Sequence, residues 1–128
     1  MDYKELKELN LSFNKISDIN ILEKVNFKKL KILFLDDNKI SDIQVLEKVK
    51  FEKLEKLNLN ANQISNINDL ENVNFKELKE LYLDCNYISD IKVLEKTKLV
   101  KLEILYLGGN NIDISNFKIS KSKFIINL

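Results

Sequence analysis

Leucines at 6, 30, 54, 78 and 102 recur every 24 residues, and asparagines at 14, 38, 62, 86 and 110 follow them in step. Each unit reads Leu-x-x-Leu-x-Leu-x-x-Asn-x-Ile, as in Leu78, Leu81, Leu83, Asn86 and Ile88. A unit this short cannot bury its apolar residues alone and must stack on copies of itself, so the chain is predicted to be a solenoid whose core is a seam between neighbours. The repeats give one domain over residues 1–128, with an irregular end from 112 to 128.

Within a unit, Glu8-Leu9-Asn10-Leu11-Ser12 alternates polar and apolar, the period of a strand with one buried and one wet face. Leu9 and Leu11 point inward. Asn14 then turns the chain, and its amide can satisfy backbone groups that stacking would otherwise bury without partners. Repeated at Asn38, Asn62, Asn86 and Asn110, this predicts a structural asparagine ladder. After the turn, Ile16, Ile19, Leu22 and Val25 recur every three residues behind the capping residues Ser17 and Asp18, which predicts a short α- or 3₁₀-helical return. Phe27, Phe51 and Phe75 close their units, and Leu99 replaces them in the fourth. The ending Phe124-Ile125-Ile126-Asn127-Leu128 repeats Glu103-Ile104-Leu105-Tyr106-Leu107 at a shift of 21 and reads as a short terminal strand.

These units resemble the leucine-rich repeat family over about 110 of the 128 residues, and Asn-Lys-Ile-Ser-Asp-Ile at 14–19 and 38–43 resembles its internalin-like subclass. That subclass repeats at about 22 residues, and the extra length here falls near Leu-Glu-Lys-Val-Asn-Phe, residues 22–27. The resemblance implies an α/β solenoid of about five repeats plus the terminal strand. A curved parallel sheet would line the concave face, short helical segments the convex face, and the concave face would bind another protein.

The residue inventory points away from catalysis. The chain has no histidine and no arginine, and one cysteine, so the usual general bases and activated nucleophiles are missing. Cys85 lies in the column of Phe13, Asp37, Ala61 and Gly109 and reads as a small residue filling a slot. Asp36 and Asp84 share a column with Asn60 between them, but strands about 4.8 Å apart put their Cα atoms about 10 Å apart, too far for one calcium ion. No metal and no cofactor are expected. The formal charge of +1 gives no reason to expect nucleic acid or an anionic membrane as partner. No window is long and apolar enough to cross a bilayer, the first residues do not resemble a signal peptide, and the expected location is cytoplasmic.

If Leu9 and Leu11 point inward, their neighbours must form three outward columns. The first holds Glu8, Ile32, Lys56, Glu80 and Ile104; the second Asn10, Phe34, Asn58, Tyr82 and Tyr106; the third Ser12, Asp36, Asn60, Asp84 and Gly108. Phe34, Tyr82 and Tyr106 stand where the repeat does not require apolar residues, and aromatics on a rigid exposed sheet act as binding anchors. With Lys56, Asn58 and Asn60 they form the candidate partner-binding face, made locally acidic by Asp36, Asp37 and Asp84. The expected function is non-catalytic binding of a protein or peptide carrying a basic residue. The alternative is a structural spacer or targeting segment of a larger protein, with no ligand of its own. Five strands offer about 500 Å², below the roughly 800 Å² per partner of a standard interface, which implies a peptide or a weak partner, and either a fragment of a longer repeat protein or a domain that gains surface by self-association through uncapped ends.

Overall fold

The computed structural model describes residues 3–115 and 123–128. It contains six parallel strands in one sheet, in chain order: β1 (Glu8–Asn10), β2 (Ile32–Phe34), β3 (Lys56–Asn58), β4 (Glu80–Tyr82), β5 (Ile104–Tyr106) and β6 (Ile125–Asn127). Neighbours from β1 to β5 pair at a constant offset of 24, as in Leu33 opposite Leu57. β6 pairs at the shorter offset, with Ile104 opposite Ile125. The terminal strand is therefore real, and its unit reaches it with fewer residues.

The return paths are 3₁₀ segments, at Asn20–Glu23, Gln44–Glu47, Asn68–Glu71 and Lys92–Glu95. Each follows an Asx turn in which an Asp or Asn side chain accepts the N–H two residues on: Asp18 from Asn20 at 2.8 Å, Asp42 from Gln44 at 2.9 Å, Asn66 from Asn68 at 2.8 Å and Asp90 from Lys92 at 3.0 Å. The N-cap residues are Ile19, Ile43, Ile67 and Ile91, none with a side-chain cap bond, so neither Ser17 nor Asp18 caps its segment; the Asp18 column braces the turn just before it instead. In the fifth unit Asp113 makes the same turn to Ser115 at 3.0 Å, 23 residues after Asp90, so the shortening begins there.

The inward leucines of β2 to β5 are 0–1% exposed, while Leu6, Leu9 and Leu11 of the first coil, packed by a coil on one side only among the described residues, are half-buried. Phe27, Phe51 and Phe75 form a continuous spine, with centroids 6.1 and 5.5 Å apart. Tyr3 extends it, 5.7 Å from Phe27, and covers one end of the row.

The asparagine ladder bridges coils. Asn62 Nδ2 donates to the carbonyls of Leu35, Leu59 and Asn60 at 3.0–3.2 Å, and its Oδ1 accepts the Ile40 N–H at 3.0 Å. Asn38 and Asn86 repeat the arrangement and are likewise buried. Asn110, half-buried, also reaches back to the coil before it, bonding the Leu83 carbonyl and the Ile88 N–H. These bonds hold a tight turn in which Phe13, Asp37, Ala61 and Cys85 take φ of 54–57°. Left-handed backbone costs about 1 kcal/mol at each non-glycine residue, offset by N–H bonds to the next coil such as Asp37 to the Asn60 carbonyl at 2.9 Å.

Candidate functional site on the concave sheet

Because the inward leucines are locked into the seam, residues on either side of them must face the concave surface. Phe34, Lys56, Asn58, Asn60, Tyr82, Asp84, Tyr106 and Asp36 all lie there, each half-buried by its neighbours in the column. Asp37 does not share that face, since it occupies the left-handed turn position and stands exposed on the rim.

Tyr82 and Tyr106, side by side on β4 and β5, stack with centroids 4.4 Å apart and planes inclined by 2°. A parallel offset stack is a favourable arrangement for two rings. The Tyr82 hydroxyl donates to Glu80 Oε2 at 2.7 Å, and Glu80 Oε2 also meets Lys56 Nζ at 3.2 Å. Burial, then the Glu80 bond and charge, pushes the Tyr82 phenol well above its ordinary range. The Tyr82 bond, then Lys56, holds the Glu80 carboxyl below its ordinary value. This Lys56–Glu80–Tyr82 chain fixes the ring that carries the stack. Glu80 belongs to the site although the sequence reading passed over it as a candidate; its signal was its place two residues before Tyr82 and opposite Lys56.

Phe34 stands apart, with Asn58 between it and Tyr82 in the column. Asn58 Oδ1 accepts the Asn60 N–H at 2.9 Å, so its side chain folds along its own strand. The third column is cross-linked: Ser12 Oγ donates to Asp36 Oδ1 at 2.5 Å, Asn60 Oδ1 accepts the Asp84 N–H at 2.7 Å, and Gly108 N–H donates to Asp84 Oδ1 at 2.6 Å. Each aspartate thus spends one oxygen on a neighbouring strand, and the other makes no hydrogen bond among the described residues. Cys85 is exposed on the rim, and a Cβ at Gly109 would come within 2.9 Å of its sulfur, so Gly109 suits its position twice over. Among the described residues no group of three or more acidic, cysteine or histidine side chains could hold a metal, and no helix is long and apolar enough to cross a membrane.

On the convex face, Asp69 takes the slot that Val45 and Val93 fill in adjacent units. Burial, then the nearby Glu47 carboxylate, raises its carboxyl above the ordinary range.

The constant register, the inward leucines and the asparagine ladder define a leucine-rich repeat solenoid, and the chain belongs to that family. The family described as Leucine Rich repeats (2 copies) matches residues 4–48, 28–72, 52–96 and 76–119 in overlapping pairs. No curated protein matches the chain in sequence. Among solved structures it is similar to an internalin (inlF) of Listeria monocytogenes, at 34% identity and a TM-score of 0.73 over 97% of this chain and 35% of that one. It is also similar to internalin C2 of the same organism, at 29% identity and a TM-score of 0.69 over 90% of this chain and 49% of that one. A leucine-rich repeat protein of Leptospira interrogans shares the fold, at 22% identity and a TM-score of 0.68 over 98% of this chain and 38% of that one. The chain therefore spans half or less of each neighbour's length. Its relatives are internalin-like, and its fold is typically used as a non-enzymatic scaffold for protein interaction.

Proposed function

We propose that the concave sheet is a docking surface for a polypeptide, that Phe34, Tyr82 and Tyr106 anchor the partner, and that the protein acts by binding without catalysing a reaction. The observation that carries this reading is the Tyr82–Tyr106 stack, with its Tyr82 hydroxyl tied to Glu80 and that carboxylate to Lys56. Rings fixed before binding lose little conformational entropy when a partner arrives, which makes them effective anchors. Asp36, Asp84 and the rim carboxylate of Asp37 favour a partner with basic residues. Six strands extend the face to about 29 Å, enough for an extended peptide.

The test uses the chain as bait in a lysate of its source organism, beside a Phe34→Ala, Tyr82→Ala, Tyr106→Ala variant whose circular dichroism matches the parent. One partner lost from the variant supports the reading. An identical retained set abandons the concave strip in favour of a spacer or targeting segment.

A further inference from the structure

We infer that the gap at Asn58, between Phe34 and Tyr82, is a slot for an arginine side chain of the partner; this rests on the concave-face reading above and specifies its chemistry. Tyr82 stacks on Tyr106 with one face, so its ring normal runs along the column and its other face looks toward Asn58. Asn58 is short and turned onto its own strand, so it floors the gap without filling it. Phe34, one strand further on in the same column, stands on the opposite side of the gap.

The dimensions suit a flat group. Two strand steps separate the walls by about 9.6 Å at the backbone. Outward side chains draw closer than that, since the stacked rings are 4.4 Å apart where their strands are about 4.8 Å apart. A planar group held at about 3.7 Å from each wall needs about 7.4 Å in all, so a gap of about 8.8 Å, two steps at the ring spacing, admits it with about 1.4 Å to spare.

The charge selects which flat group. Asp36 shares the coil of Phe34 and Asp84 that of Tyr82, so a carboxylate lies beside each side of the gap, each with one oxygen that makes no hydrogen bond among the described residues. At the other end Lys56 is neutralised by Glu80. A guanidinium stacks on an aromatic face and carries forked donors for a carboxylate beside the wall it stacks on, whereas an ammonium is a point charge without a face to stack.

The experiment titrates the whole chain with N-acetyl-arginine amide, N-acetyl-lysine amide and the planar but uncharged N-acetyl-citrulline amide, following the ring resonances of Phe34 and Tyr82 by NMR. The slot predicts saturable shifts with arginine, binding at least tenfold weaker for the other two, and loss of the arginine response in Asn58→Leu, which fills the gap. Asp36→Asn with Asp84→Asn, which keeps the acceptors used by Ser12 and Gly108, should weaken arginine at least tenfold. Equal responses to arginine and citrulline, no ring shifts, or an unchanged Asn58→Leu variant overturns the assignment. An Asn58→Leu bait that keeps a partner lost by the triple alanine variant overturns the slot alone; retention by both overturns the concave-face reading as well.

Discussion

Asn14 and Asn62 occupy the same turn of the same repeat, yet they do different things. Asn62 binds three carbonyls and one N–H across two coils and is 5% exposed. Asn14, with no earlier coil behind it among the described residues, reaches only the carbonyls of its own Leu11 and Ser12 and stays exposed. An identical residue is thus a buried bridge in the interior and a local turn brace at the end. The lesson is that stability in this solenoid belongs to interfaces between coils more than to the coils themselves.

Substitutions can break that contrast. Phe51→Ala removes a ring packed between two others and should cost about 4 kcal/mol, while Tyr3→Ala, at the half-exposed end of the same spine, should cost under about 1 kcal/mol; urea denaturation measures both. Asn62→Ala strands several buried backbone groups and should cost about 3 kcal/mol, against about 0.5 kcal/mol for Asn14→Ala. Equal costs for the two asparagines would refute the interface account. The smallest effect concerns Asp69, whose raised carboxyl is penalised when ionised in the fold. The stability linked to it is present below the unfolded value of 3.8 and lost as pH rises through the raised folded one. Asp69→Asn should therefore gain a few tenths of a kcal/mol at pH 7, and the gain should vanish in thermal melts below that unfolded value.

Much of this was legible in the sequence, for a physical reason. A period of 24 with alternation inside it determines which side chains face in, and the column lists for Leu, Asn and the aromatics follow directly. Even the terminal strand was visible, because Ile125 and Ile126 repeat Ile104 and Leu105 at the shorter offset. The bonds running along a strand or around a turn were not visible. Columns show which residues neighbour one another across strands, but they do not say that Tyr82 leans back to Glu80 or that Asn58 folds onto Asn60. Those rotamer choices depend on what each neighbour leaves unbonded. Tyr3 was missed for a simpler reason: it stands 24 residues before Phe27, but a tyrosine at the start of a chain does not advertise itself as a spine residue.

The most direct test of the central claim is a cross-saturation experiment on the chain bound to its captured partner, with amide signals read along the whole solenoid. The account predicts that saturation concentrates on residues 32–36, 56–60, 80–84 and 104–108. Saturation concentrated on the 3₁₀ segments at 20–23, 44–47, 68–71 and 92–95, with the strand residues untouched, would contradict it.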